Sequence, residues 1–190
     1  IAVVCVLGSL CYTYAQNYEA DFRAVQQQFE ERLKITADNL KEYVETYPYT
    51  PYIDEIHVMQ GVLQVEKKKY KQAIKAFDKV GNPKNLSRSS LPMYKFYMGY
   101  ALLQTKEYKK ALTYFLDITK KENIYTPHAK YYAGYCLYSL GEFPKAMAQF
   151  LAVEHLGGYK QIAPYYIVQI YYAQNAYDEV YTRANNLLKE

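Results

Sequence analysis

Apolar, small and aromatic positions recur along this chain at a long fixed interval. Gly99, Tyr108, Ala111 and Phe115 are followed 35 residues later by Gly134, Phe143, Ala146 and Phe150. The same pattern stands 38 residues earlier at Gly61, Tyr70, Ala73 and Phe77, and 34 residues later, in a worn form, at Val168, Tyr177, Val180 and Ala184. A period in this range is the signature of an array of short supersecondary units.

The middle copy shows what one unit is. From Pro92, which suits a first helical turn because its missing N–H needs no partner there, Tyr94, Tyr97, Gly99, Ala101 and Leu102 share helical faces with Met93, Phe96, Tyr100 and Leu103. That helix is apolar nearly all round. Gln104-Thr105-Lys106-Glu107 then reads as a polar turn, after which Tyr108, Ala111, Leu112, Phe115 and Ile118 fall at spacings of three and four, as a one-sided amphipathic helix requires. A mid-helix glycine costs about 1 kcal/mol against alanine, so its recurrence predicts close approach of the second helix.

Before this array, Tyr18, Phe22, Val25 and Phe29 predict a helix from about Tyr18 to Leu33, and Leu40, Tyr43 and Val44 a second one behind Thr36 as N-cap. Tyr47-Pro48-Tyr49-Thr50-Pro51-Tyr52 is a hinge that restarts a helix at Pro51 behind Thr50. The longest connection, Gly81 to Ser90, is rich in turn formers and accounts for the spacing of 38. A helix restarts at Pro127 behind Thr126, and Gly157-Gly158 precedes Pro164. None of these junctions reads as a domain boundary. The segments are 1–15, a degenerate helix pair over 16–49, and repeats over 50–87, 92–125, 127–160 and 161–190. The last helix, from about Tyr177 to Leu188, leaves Val180, Ala184 and Leu187 uncovered where solenoid ends carry a polar cap, so the array is expected to continue.

The pattern resembles the tetratricopeptide repeat, whose antiparallel helix pair carries a small residue in the first helix and an aromatic, a small residue and a large aromatic in the second. Gly61, Gly99 and Gly134, the aromatics Tyr70, Tyr108, Phe143 and Tyr177, and the pairs Ala73–Phe77, Ala111–Phe115 and Ala146–Phe150 carry the resemblance over about residues 50 to 190. The family's early tryptophan is replaced by His57, Lys95 and Lys130, and its closing proline by Asn85, Asn123 and Gly158. The resemblance implies an all-α, right-handed superhelical solenoid of antiparallel helix pairs. The stretch from Tyr43 through Thr50-Pro51-Tyr52 to Tyr70-Lys71-Gln72-Ala73-Ile74 is also similar to exported bacterial members of the outer-membrane assembly type.

The N-terminus bears on location. Ile1 to Leu10 is apolar, no charge appears before Glu19, and Thr13 and Ala15 flank Tyr14 as at an export cleavage site. The run is short of the roughly 20 residues a spanning helix needs. Residues 1–15 are therefore expected to be a signal peptide truncated at its start, cut after Ala15, which places the protein in the periplasm or cell envelope of a Gram-negative bacterium. Cys136 would then be the one cysteine left, a small core hydrophobe.

The net charge of +4 hides an asymmetry: Gln16 to Glu66 holds four basic and ten acidic residues, Lys67 to Glu190 nineteen basic and nine acidic. Lys67, Lys68 and Lys69, with Lys71, Lys75 and Lys79, crowd one turn and helix, a candidate for electrostatic docking or simply a solvated face. Catalytic chemistry is not legible. His57, His128 and His155 lack metal-site spacing, and no phosphate loop, nucleophile elbow or Ser/His/Asp set is present. Neither an enzyme, a cofactor site, a metal site nor a nucleic-acid reader is expected, and any membrane association is indirect.

The surplus is tyrosine, 25 against 7 phenylalanines and no tryptophan. Tyrosine gives stiff contact area with a polar tip, suited to half-exposed grooves. Resemblance to the family assigns Phe96, Tyr100, Tyr131, Tyr135, Tyr138, Tyr165 and Tyr172 to a concave lining on the first helices, without the Lys and Asn clamp of chaperone-binding members. The expected function is a non-catalytic scaffold of the bacterial envelope that binds a protein or peptide segment in this groove. The alternatives are an assembly factor docking by its edges within an outer-membrane or secretion complex, and a glycan-binding module. For any single tyrosine, packing between helices is an equally good account.

Overall fold

A computed structural model describes residues 37 to 187, and every regular element among them is helical. In order these are α1 (Ala37–Thr46), α2 (Ile53–Glu66), α3 (Tyr70–Phe77), α4 (Ser90–Gln104), α5 (Tyr108–Ile118), α6 (Thr126–Ser139), α7 (Phe143–Leu151), α8 (Ala163–Ala173) and α9 (Tyr177–Leu187), with 3-10 turns at Pro83–Asn85 and Gly157–Gln161. The expected signal segment and the Tyr18–Leu33 helix lie outside the described residues. The chain divides into two compact units at Ser90/Leu91. That point ends the long connection which the sequence reading takes as a junction inside one array.

In the first unit α1 packs on α2 through Leu40, Tyr43, Tyr47, Ile56 and Met59, all buried. The hinge is held from inside. Buried Thr50 shares a 3.2 Å hydrogen bond with the Tyr43 phenol and accepts the Tyr52 N–H at 3.3 Å. Pro51 and Tyr52 thus form a turn, and the helix begins at Ile53, two residues later than the expected restart at Pro51. The Gly81–Ser90 connection is tied back to the start of α2: Asp54 accepts the Gly81 N–H at 2.8 Å and Glu55 that of Ser87 at 2.7 Å. Both carboxylates also sit in the first turn of α2, where the helix dipole favours negative charge.

In the second unit α4 pairs with α5, α6 with α7 and α8 with α9. Every second helix starts on the aromatic the repeat predicts, Tyr108, Phe143 and Tyr177, as α3 starts on Tyr70 in the first unit. The glycines meet the phenylalanines 16 residues on: a Cβ at Gly99 would stand 3.0 Å from Phe115 Cε1, and one at Gly134 2.9 Å from Phe150 Cε1. Gly61 in the first unit is tighter, 2.3 Å from Phe77 Cε1. All three phenylalanines are fully buried, so close approach is the physical reason for the glycines.

One turn geometry joins all four helix pairs. Lys68, Lys106, Gly141 and Asn175 are left-handed, with φ of 56°, 64°, 76° and 59°. In each turn the next residue's N–H reaches back five residues: Lys69 to Gln64, Glu107 to Leu102, Glu142 to Leu137 and Ala176 to Tyr171. This is the Schellman end, which satisfies otherwise orphaned carbonyls. The start of α6 departs from expectation: Tyr125 is the N-cap, and the hydroxyl of buried Thr126 accepts the Asn123 N–H at 3.0 Å instead of capping the helix ahead.

Candidate functional site

The second unit carries a connected row of aromatic rings built by the repeat. Phe115 of α5 meets Phe96 edge-on at 6.2 Å and stacks on Tyr132 at 5.6 Å and 27°. One repeat on, Phe150 of α7 meets Tyr131 edge-on at 5.9 Å and stacks on Tyr166 at 5.0 Å and 7°. Each phenylalanine is thus held between a ring of its own first helix and a ring of the next one. The first helices line up α4, α6 and α8 as successive bearers of exposed aromatic edges.

Six of the seven residues assigned to the groove by sequence join this row. Phe96 stacks with Tyr100 at 6.4 Å, Tyr100 meets Tyr132 at 5.3 Å, and Tyr131, Tyr135, Tyr138 and Tyr165 lie 6.2, 5.7, 5.5 and 5.5 Å from the ring of Tyr166. Tyr172, 65% exposed, stands instead with Tyr177 at 5.9 Å. Phe96, Tyr100, Tyr131, Tyr135 and Tyr138 are half-buried, whereas Tyr165 is 59% exposed. Tyr138 has a structural task as well, since its hydroxyl donates to Gln169 Oε1 at 2.6 Å and its ring meets Phe143 at 5.7 Å.

Tyr132 and Tyr166, the residues that knit the row together, were missed. The signal was available. Phe96-Tyr97, Tyr131-Tyr132 and Tyr165-Tyr166 are aromatic doublets in repeat register, and the second member of the later two stacks on the phenylalanine of the preceding pair. Tyr125 and Tyr159 extend the row, at 4.9 Å from Phe96 and 5.1 Å from Tyr131, and the Tyr159 hydroxyl is hydrogen-bonded to His128 Nδ1.

The phenols of the row stay protonated. Burial pushes the phenols of Tyr125 and Tyr132 up to about 12, and holds those of Tyr131, Tyr159 and Tyr166 above their ordinary value. They are neutral hydroxyls at physiological pH. Burial likewise raises the Cys136 thiol to about 12, so this fully buried cysteine is an inert core group. Among the described residues no cluster of His, Cys, Asp and Glu could hold a metal ion, and no helix is long and apolar enough to cross a membrane.

The row also has a recess of about 270 Å³, where Tyr131, Tyr132 and Tyr135 of α6 face Leu103, Gln104, Lys106 and Tyr108 at the α4–α5 turn. Lys67, Lys68 and Lys69 lie elsewhere, exposed in the α2–α3 turn of the first unit and without an ion pair among the described residues. Lys69 is the N-cap of α3, where α5 and α7 have Glu107 and Glu142, each bound at 2.6 Å to Lys110 and Lys145.

No protein-family model and no curated protein matches the chain. Solved structures do. MamA from Desulfovibrio magneticus RS-1 superposes with a TM-score of 0.65 at 19% identity, over 93% of this chain and 94% of that one. YrrB, described as a TPR protein with an unusual peptide-binding site, gives 0.61 at 22% identity, over 90% of this chain and 79% of its own. A Rap protein complexed with competence and sporulation factor gives 0.52 at 19% identity, over 94% of this chain and 53% of its own. At such identities the likeness is one of fold, and that fold is the all-helical, tetratricopeptide-type arrangement of helix pairs.

Proposed function

We propose that this chain is a non-catalytic interaction scaffold that binds a segment of another protein along the aromatic row of its second unit. The observation that carries the reading is the continuity of that row, from Phe96 and Tyr100 through Tyr131, Tyr132 and Tyr135 to Tyr166 and exposed Tyr165. Half-buried tyrosines give rigid apolar area with little side-chain entropy to lose, and their hydroxyls orient a ligand's amides. YrrB is described with a peptide-binding site and the Rap protein was solved with a bound factor, so proteins of this fold take such ligands. A continuous row suits an extended polypeptide better than a sugar, which would use isolated flat rings, and for that reason the glycan reading ranks below it.

The reading includes a place of work. The apolar Ile1–Leu10 stretch and the Thr13-Tyr14-Ala15 site support export to the envelope, where the scaffold would serve an outer-membrane or secretion complex. Docking through Lys67, Lys68 and Lys69 is the second reading. It is favoured by the exposed lysines of the α2–α3 turn, which have no ion pair among the described residues, and would bring in an acidic partner. The test is photo-crosslinking in the native cell, with a benzophenone residue at Tyr100, Tyr135 or Tyr165 and, as controls, at exposed Thr113 and Ala148. The row positions should trap one protein at a defined segment and the controls should not. Trapping from Lys68 alone would support the second reading.

A further inference from the structure

We infer that the recess between the α4–α5 turn and α6 is the anchor pocket of the aromatic row. It takes a leucine or aromatic side chain with an aspartate or glutamate one or two residues away, within an internal stretch of the bound polypeptide. The inference rests on reading the row as a peptide surface and says what that peptide must look like.

The lining is mixed: Leu103 and the tyrosine rings supply apolar surface, the phenol hydroxyls and Gln104 supply polar surface, and Lys106 adds a cation. Leu103 and the rings of Tyr108, Tyr132 and Tyr135 line a volume of about 270 Å³, room for one large side chain, with Tyr108 and Tyr135 meeting edge-on at 6.3 Å. Lys106 is the one charged residue in the lining. Its backbone is pinned in the left-handed turn, its N–H bonded to the Leu103 carbonyl at 2.9 Å, and its ammonium forms no ion pair among the described residues. The adjacent carboxylate of Glu107 is turned to Lys110 at 2.6 Å and to the Thr105 hydroxyl. A cation with no ion pair among the described residues, beside an aromatic pocket, favours an apolar group with a carboxylate nearby.

The equivalent place one repeat on is spanned by a side-chain hydrogen bond. There Tyr138 stands for Leu103, Gly141 for Lys106 and Gln169 for Tyr135, and the Tyr138 hydroxyl spans the position to Gln169 at 2.6 Å. The smaller Leu103 leaves open what Tyr138 spans. Rings continue on both sides of the recess, Phe96 and Tyr100 on α4 and Tyr166 on α8, so the bound chain passes through and does not end there.

The experiment selects binders to the full chain from a library of N-acetylated, C-amidated 12-residue peptides, then measures the best as fluorescein-labelled peptides. Selected sequences should pair Leu, Phe or Tyr with Asp or Glu within two residues, and changing that acid to its amide should weaken binding at least fivefold. Lys106→Glu keeps a long side chain at the same left-handed position and should shift selection from acidic to basic companions. Leu103→Tyr installs the residue found one repeat on and should weaken binding at least tenfold. If peptides bind but Lys106→Glu selects the same sequences, or folded Leu103→Tyr binds like the parent, the pocket assignment is wrong while the row remains a peptide surface. If no blocked peptide is selected, the reading of the row as a peptide surface falls with it.

Discussion

The ring of Phe150 lies flat on the ring of Tyr166, 5.0 Å away and 7° from parallel, and one repeat earlier Phe115 lies on Tyr132 at 5.6 Å and 27°. The residue that closes one helix pair therefore seats the first helix of the next, so the row of surface tyrosines inherits the precision of the core. The proposed binding surface and the repeat fold rest on the same side chains, and variants must be chosen to separate the two.

The glycines give the cleanest test of the core. At Gly61 an added Cβ would meet the Phe77 ring at 2.3 Å, and that ring is fully buried and cannot swing away. Gly61→Ala should cost about 1 to 3 kcal/mol from overpacking. At Gly99 the contact is 3.0 Å, and the gain of about 1 kcal/mol from removing a helical glycine should largely offset the strain. Denaturant unfolding should rank Gly61→Ala well below Gly99→Ala, and equal midpoints would contradict the packing.

The array was legible because period and chemistry agree: an interior glycine, an aromatic helix start and a buried phenylalanine mark α2–α3, α4–α5 and α6–α7, and the structure uses all three. The turns were less so. Gly141 and Asn175 announce a left-handed residue, but Lys68 and Lys106 take the same conformation without a sequence signal. Thr50 and Thr126 look like helix caps, yet each makes a turn bond that depends on surrounding packing. The grip of Asp54 and Glu55 on Gly81 and Ser87 spans 27 and 32 residues, beyond any local pattern. Tyr132 and Tyr166 were passed over because first helices that are apolar nearly all round have no single face to follow.

Alkaline pH should dissolve the row. The phenols of Tyr125 and Tyr132 rise from 10.0 to about 12 on burial. A group whose folded pKa is raised holds its stabilisation below the unfolded value and loses it as pH climbs through the folded one. Absorbance titration at 295 nm should show the phenols of Tyr125 and Tyr132 ionising only as the second unit unfolds towards pH 12. One step near pH 10 with native circular dichroism would contradict the burial.

The lysine turn should respond to charge reversal. Lys69 sits at the positive end of α3, so Lys69→Glu, which copies Glu107 and Glu142, should stabilise the first unit by about 0.3–1 kcal/mol. A loss of stability would mean that Lys69 has a partner of its own. Replacing Lys67, Lys68 and Lys69 by glutamine should change the salt dependence of partner capture without abolishing it.

The export reading has its own measurement. Sequencing of the native protein should find Gln16 as the mature N-terminus in an envelope fraction. A cytoplasmic protein that retains Ile1 to Ala15 would remove the export reading while leaving the scaffold reading in place.

The most direct test of the scaffold is the affinity of the crosslinked partner segment for the parent chain and for the Tyr135→Ala/Tyr165→Ala variant, with thermal unfolding measured alongside. Tyr165 is 59% exposed, and Tyr135 is half-buried with its ring against Tyr108 and Tyr166. Central aromatic anchors at an interface each contribute about 2 kcal/mol or more. The account predicts at least a tenfold loss of affinity with an unchanged helical spectrum; full affinity in that variant, together with loss on replacing Lys67, Lys68 and Lys69, would contradict it.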